Sequence, residues 1–277
     1  MRIDSEQLPQ HLARGLKPLY TILGDEPLLA LEAADRIRAH ARKDGYAERK
    51  LLTVESGFDW SELSMSGNSL SLFADRRLIE LRIPNGKPGT EGSAAIGHYC
   101  ADLPPATLTM VVLPRLEWRE KKAAWIEKLD AAGVTVEANA VDRARLPGWI
   151  RGRLALQKQK CDDATLQFVA DRVEGNLLAA HQEVQKLALL APEGPLTDDI
   201  LFDAVGNVAR YTPQDTSTAL LAGDTARYAR VLEGLRGEGE ALTFILWVVS
   251  EDIRAARRVQ EGLAAGRAMD KIGRAHV

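Results

Sequence analysis

The segment LYTILGDEPLLALEAADRIR, residues 19–38, places an apolar β-type run directly before an amphipathic helix. The run Leu19–Leu23 has strand character, and Pro27–Lys43 carries apolar residues at helical spacing. A strand, a loop and a helix in this order form the setting in which a P-loop holds phosphates. The loop here is Gly24-Asp25-Glu26-Pro27, and no Gly-Lys-Ser/Thr follows it. We therefore expect a nucleotide-binding scaffold whose loop does not bind a nucleotide.

Strand and helix patterns alternate along the first half of the chain. The other predicted strands are Lys50–Val54, Leu78–Ile83, Leu108–Leu113 and Val134–Glu137, with helices at Gly92–Leu103 and around Trp125. Leu108–Leu113 is almost wholly apolar, which is typical of a strand buried on both faces. This alternation predicts a parallel sheet that is covered by helices on both sides.

Only helices are expected after Asn139. Their predicted ranges are Pro147–Gln157, Ala164–Val173, Leu177–Leu190, Thr197–Val205, Thr216–Leu221, Arg227–Leu235 and a long helix from Ala241 toward Leu263. The predicted fold class is an α/β AAA+-like (P-loop-type) domain without a nucleotide site, followed by two all-helical domains. The expected domains are residues 1–140 (α/β), 141–210 (a helical lid) and 211–277 (a second helical domain).

An active ATPase of this layout needs residues at three places, and each is replaced in this sequence. The phosphate loop needs glycines and a lysine, but Asp25 and Glu26 bring two negative charges. A buried strand should be followed by an Asp-Glu pair that holds magnesium and positions water, but LTMVVL is followed by Pro114-Arg115. The lid should carry a Gly-x-x-Arg pattern, but Leu178 stands where the arginine would follow Gly175. We therefore predict no ATPase activity and no cofactor.

Composition and charge exclude several other classes. The 277 residues are 45% hydrophobic and 27% charged, which is ordinary for a globular protein, and the net charge of -3 argues against a strongly basic nucleic-acid binder. Cys100 and Cys161 are distant and lack a CxxC pattern, so neither a disulfide framework nor a zinc site is expected. The charged N-terminus lacks the apolar segment of a secretory signal, and no apolar run is long enough to span a bilayer. We expect a soluble cytoplasmic protein without membrane contact.

Four motifs in order along the chain carry a resemblance to a known family. They are YTILGDEPLL (20–29), SLSLFADRRLIEL (69–81), EGNLLAAHQEVQKLALL (174–190) and the Thr-Pro of YTPQD (211–215). On these motifs the chain resembles the delta subunit of the bacterial DNA polymerase III clamp loader. That family is AAA+-shaped and inactive as an ATPase, which agrees with the three replacements.

The resemblance implies a function and a set of partners. The subunit would bind one edge of the ring-shaped beta sliding clamp and open the ring, while ATP-hydrolysing subunits control when its surface is available. Its partners would be the clamp, the gamma/tau and delta-prime subunits, and primed DNA that passes through the complex. It would not be an enzyme by itself, although the holoenzyme is a DNA-directed DNA polymerase, a nucleotidyltransferase.

The clamp-binding residues that the resemblance implies are Leu70, Leu72 and Phe73. Leu72 and Phe73 are adjacent large apolar residues among small polar and charged neighbours, as at an exposed loop. In the family the matching Leu-Phe pair inserts into an apolar pocket of the clamp, and the residue at Leu70 assists. The alternative is that both are core residues at the end of a helix that precedes the strand at Leu78.

Two weaker candidates concern DNA. Arg254, Arg257 and Arg258 share one face of the last long helix, which could contact DNA or another subunit, or could be an ordinary exposed face. The three tryptophans Trp118, Trp125 and Trp149 are expected to pack in the protein interior rather than to stack on bases.

Two rival assignments remain at this stage. A divergent AAA+ ATPase would need the lysine and the acidic pair that this chain lacks. The delta-prime-like stator subunit of the same loader would carry a Ser-Arg-Cys motif and often a zinc cluster, and Arg76 and Arg77 lack that context.

The end of the chain, AMDKIGRAHV, has lost the apolar period of the helix before it. Its last residues, Ile272 to Val277, can be back-translated into a common sequencing adapter, so we expect them to be non-native. In that case the third domain, the collar that assembles the pentamer in the family, would be incomplete.

Overall fold

The structure is a computed structural model that describes residues 1–68, 76–197, 200, 204–206 and 208–266. The chain divides into two compact units, Met1–Val141 and Asp142–Val277. The division into three domains that we predicted stays a prediction, as does the non-native origin of Ile272–Val277, which lie outside the described residues.

The first unit is built on a six-stranded parallel sheet. Its strands are β1 (Arg2–Asp4), β2 (Leu19–Leu23), β3 (Glu48–Thr53), β4 (Arg77–Arg82), β5 (Thr107–Leu113) and β6 (Val134–Glu137). Their spatial order is β1-β6-β2-β5-β4-β3, and every neighbouring pair is parallel. All five residues of β2 and six of the seven residues of β5 are buried, as their apolar sequences predict.

Helices connect these strands. They are α1 (Leu8–Leu12), α2 (Pro27–Lys43), α3 (Ser61–Asn68), α4 (Gly89–Ala101) and α5 (Ala124–Ala132), with short 3-10 turns at Ser5–Gln7 and Glu120–Lys122. The patterns missed β1, α1 and α3, since three to eight residues give too few repeats to reveal a period.

The two faces of β4 illustrate how the core is arranged. Ile79 and Leu81 point into a large apolar cluster that also contains Trp60 and Leu63 from the α3 region. Glu80 lies on the opposite face of the strand and is fully buried, where it pairs with an arginine of α2. Alternation along the strand thus places one face in the apolar core and one charge against a helix.

The second unit is mainly helical. Its described helices are α6 (Leu146–Leu156), α7 (Asp163–Val173), α8 (Leu177–Leu190), α9 (Pro213–Leu221), α10 (Thr225–Gly237) and α11 (Leu242–Ala264). The expectation that strands end after Asn139 was wrong in one detail, because β7 (Gln159–Lys160) pairs in parallel with β8 (Gly194–Pro195). Strands of two residues carry no alternation that a sequence pattern could show.

Three helices of this unit begin at side-chain caps. Asp162, Asn176 and Asp224 each accept a hydrogen bond from the backbone N–H three residues later, at the starts of α7, α8 and α10. The helix predicted over Thr197–Val205 falls mostly outside the described residues. None of the helices that the structure describes is long and apolar enough to cross a membrane. A parallel α/β unit followed by helices confirms the predicted succession of structural classes.

Candidate partner-binding segment and degenerate nucleotide loop

The loop Gly24–Pro27 lies at the carboxyl end of β2, where the connections between strands begin to lead to opposite sides of the sheet. The connection that leaves β2 leads to β3 at one edge, whereas the connection from β5 to β6 crosses to the other side of β2. In open α/β sheets this topological switch point is where ligands bind. The loop therefore lies at the position where scaffolds of this kind bind their ligands.

Two of the three backbone N–H donors of this loop are used within the protein. Gly24 N donates to Leu113 O at 3.3 Å, and Glu26 N donates to Ala138 O at 3.0 Å. Leu28 N, in the first turn of α2, donates to the Glu26 carboxylate at 3.2 Å. A P-loop presents such N–H groups to phosphate oxygens instead. Here the N–H groups donate instead to carbonyl oxygens at the ends of β5 and β6 and to the Glu26 carboxylate.

The loop is also too tight for a phosphate cradle. Only residues 24–26 separate β2 from α2, and the first residue of the helix is Pro27, which has no N–H. A Cβ atom on Gly24 would lie 2.0 Å from Ala138 O, so the loop packs directly against the chain that follows β6.

The charges of the loop oppose a triphosphate. Asp25 pairs at 3.4 Å with Arg115, which follows the end of β5. Burial raises the pKa of Glu26 above its usual range, and the charge of Asp25 adds to this increase. An incoming anion would meet two carboxylates here, and it would have to break the ion pair between Arg115 and Asp25.

The lid-like helix α8 shows the third replacement. Leu178 lies in its first turn with 47% of its surface exposed, so no charge is presented at the position of the expected arginine. Gly175, which precedes the helix, has a φ of +74°, and a Cβ there would lie 2.0 Å from Arg210 O. This turn is therefore shaped by close backbone packing within the second unit.

Leu70, Leu72 and Phe73, the clamp-binding residues implied by the resemblance, lie outside the described residues. The structure describes both flanks of their segment. The segment follows α3 and enters β4, which begins at Arg77 on the amino edge of the sheet. The nucleotide-loop position is on the carboxyl edge, about 20 Å away along strands of five to seven residues.

Two arginines hold these flanks. The Arg77 side chain is buried and donates to Ser66 O of α3 at 2.5 Å and to Glu48 of β3 at 2.9 Å. Arg76 donates to Asp44 O at 2.8 Å and lies over the Tyr46 ring. Sequence patterns missed this role, since Arg76 and Arg77 look like ordinary charges before a strand.

The three arginines near the end of α11 were the candidates for contact with DNA or another subunit. Arg254, Arg257 and Arg258 are all exposed on α11, where Arg254 pairs with Glu251 and Arg257 pairs with Glu261. Their role in contacting DNA or a subunit stays a prediction.

The expected burial of the tryptophans is confirmed for two of the three. Trp125 and Trp149 are each 7% exposed. The expectation was wrong for Trp118, which is 68% exposed. It lies in the connection after β5, whose local sequence carries no signal for tertiary burial.

Comparisons with known proteins agree with this architecture. The family model described as "DNA polymerase III, delta subunit" matches residues 20–139. The Escherichia coli DNA polymerase III subunit delta is 31% identical over 253 residues, which cover 91% of this chain and 74% of that protein. The Haemophilus influenzae subunit is 27% identical over 255 residues, with the same coverage of both chains.

A solved structure shows the same fold. The DNA clamp loader delta protein of Bacillus subtilis superposes with a TM-score of 0.56 at 18% identity, over 97% of this chain and 82% of that one. This likeness confirms the expected fold class, an α/β unit followed by helices. The identity to the Escherichia coli subunit over most of both chains shows that the chain belongs to the family of DNA polymerase III delta subunits.

Proposed function

We propose that this chain binds the beta sliding clamp and opens the ring for loading on primed DNA. The observation that carries the proposal is the segment SLSLFAD, residues 69–75, in a delta-family chain. Its two flanks, α3 and β4, are joined by the buried Arg77. Adjacent apolar side chains between two firmly held elements suit an anchor that inserts into a pocket of a partner.

The energetics of such an anchor are sufficient for a specific contact. Full burial of a leucine or phenylalanine side chain contributes about 1.5–3 kcal/mol. Two such anchors dominate a modest interface, because a few buried residues carry most of the binding energy. To open a ring, the subunit must bind the open or strained form better than the closed one, since only differential affinity shifts the equilibrium.

The proposed role needs no catalysis by this chain. The internal hydrogen bonds of Gly24, Glu26 and Leu28 and the carboxylates of the loop support the proposal that the chain neither binds nor hydrolyses ATP. As a subunit of the DNA polymerase III holoenzyme, it would serve a nucleotidyltransferase without contributing reacting groups. Its proposed partners are the clamp, the gamma/tau and delta-prime subunits and primed DNA, and its proposed location is the cytoplasm.

The first test is surface-plasmon-resonance binding to the sliding clamp of the same organism. The wild-type chain should bind, and L72A/F73A should lose at least about tenfold in affinity, or 1.4 kcal/mol. The matched control is L189A/L190A, which truncates two leucines of α8 that are 87% and 59% exposed. This control should bind like the wild type.

The outcomes separate the site from the function. Equal binding by the wild type and L72A/F73A, with both folded by circular dichroism, would show that the clamp contact lies elsewhere. Absence of binding by the wild type would contradict the clamp-binding function itself.

A further inference from the structure

The connection Arg115–Lys122, which follows β5 in the first unit, exposes a tryptophan among basic side chains. Trp118 is 68% exposed, and the Lys122 ammonium lies 3.9 Å from the centroid of its ring. Arg119 is also exposed. We propose that this connection binds single-stranded nucleic acid, with the Trp118 ring stacking on an unpaired base.

Several contacts anchor the connection to the rest of the first unit. Leu116 is buried at its start, beside Gly86 and Pro114. The Glu120 carboxylate accepts from Glu117 N at 2.9 Å and pairs with Lys87 at 3.6 Å. An anchored connection loses less conformational entropy when it binds a partner than a mobile one does.

The charge balance of this connection is positive. Its sequence RLEWREKK carries four cations and two acids. Glu120 is engaged by Lys87, and Arg115 by Asp25. Among the residues that the structure describes, Arg119 and Lys121 have no ion-pair partner, so both can face a phosphate backbone.

An unpaired strand suits this surface better than an apolar protein partner. The connection presents no contiguous apolar patch for such a partner, since Leu116, its other large apolar residue, is buried. A single exposed ring with cations around it is the arrangement on which bases stack, and every base offers a π-face. The proposal concerns a surface separate from residues 69–75 and does not depend on clamp binding.

The test measures fluorescence anisotropy of a labelled oligothymidine of about 20 nucleotides, at about 50 mM salt, with the full chain. The variant W118A should weaken binding about tenfold, within the range for loss of one stacked base, whereas W118F should retain most of the affinity. The variant R119E/K121E should also bind more weakly and show a shallower salt dependence. The matched control is W247A, which removes another exposed tryptophan, 58% exposed on α11, and should bind like the wild type.

Several results would overturn the proposal. These are absence of wild-type binding, equal affinity of W118A and wild type, and binding of a duplex as tight as that of the single strand. Loss of binding to an acidic protein partner in R119E/K121E, without any change for the oligonucleotide, would assign the surface to a protein instead. Clamp binding measured in parallel should be the same for W118A and wild type, which keeps this test independent of the clamp-binding proposal.

Discussion

Glu80 is a fully buried carboxylate in the middle of β4; two arginines donate hydrogen bonds to it, and a third, Arg82, lies 3.9 Å away. Arg38 of α2 donates through Nε and Nη2 at 2.7 and 2.9 Å, and Arg49 of β3 donates at 2.5 and 2.9 Å. Burial opposes ionisation of Glu80, but the hydrogen bonds and charges of both arginines outweigh it and lower its pKa. The ionised carboxylate is thus the form that the folded sheet stabilises.

We expect E80Q to lower the free energy of unfolding at neutral pH by about 3 kcal/mol, since it leaves the arginines without their buried counter-charge. Because the folded pKa is depressed, the contribution of Glu80 is fully present above the unfolded pKa of about 4.3 and is lost as pH falls through the folded pKa. Urea unfolding between neutral and acid pH should therefore show a smaller acid loss for E80Q than for wild type. The exposed Glu127 of α5 supplies the control, E127Q, which should follow the wild-type profile. Parallel profiles of E80Q and wild type would contradict this account.

Arg77 is expected to act on partner binding through position rather than contact. R77M would release Ser66 O and Glu48, which join the flanks of residues 69–75. We expect clamp affinity to fall several-fold, while the fold persists with a loss of about 1–3 kcal/mol in stability. Surface plasmon resonance should show most of the change in the association rate, since a smaller fraction of molecules would be competent to bind.

R82M is the control for R77M, because Arg82 lies on the same strand with its side chain 43% exposed and makes one long ion pair, 3.9 Å to Glu80, away from α3. If R77M loses the expected stability but binds the clamp as tightly as R82M does, Arg77 contributes to stability and does not position the segment. Rescue by R77K, which restores one donor, would support positioning.

At the scale of elements, the junction between β2 and α2 requires a glycine. G24A would drive a methyl group to within 2.0 Å of Ala138 O, a backbone atom that cannot rotate away. We expect a loss of at least about 3 kcal/mol in the free energy of unfolding, because the end of β6 must shift. G97A is the opposite case, since Gly97 lies inside α4 with nothing within 4 Å of its Cβ position. It should stabilise the chain by about 0.5–1 kcal/mol, and chemical denaturation of both variants would reveal whether their effects differ in sign.

Elements could be predicted where the residues that determine them lie within the element itself. β2, β5 and α2 were predicted because their apolar residues repeat within the element itself. β7 and β8 were missed because a pair of two-residue strands exists only through the partner's hydrogen bonds. The residues that replace a P-loop between β2 and α2 can be read directly from the sequence, whereas the contacts of Arg77 depend on atoms 11 and 29 positions away. Exposure of Trp118 likewise depends on tertiary packing that hydrophobicity alone does not specify.

At the scale of the whole molecule, a buried ion network joins the two halves of the second unit. Arg227 of α10 pairs with Glu174 after α7 at 2.6 Å and with Asp215 of α9 at 2.9 Å. Arg230 pairs with Asp171 of α7 at 2.9 Å. The predicted boundary near residue 211 falls between these partners in sequence. The network therefore couples the helices of the predicted lid to those of the predicted second helical domain.

We expect this coupling to make residues 142–266 unfold as one cooperative unit. R227M leaves Asp215 without its cation and Glu174 with only the half-buried Arg143 at 3.5 Å, which should cost about 3 kcal/mol and allow α9–α11 to open before α6–α8. Hydrogen exchange followed by mass spectrometry should then show faster exchange in α10 than in α7, whereas both exchange together in the wild type. In E174M/R227M both charges are replaced by apolar side chains, so most of the lost stability should return, because no charge of the central pair stays buried alone. If R227M instead speeds exchange equally in α7 and α10, or if the double variant is no more stable than R227M, the pair does not hold the two halves together.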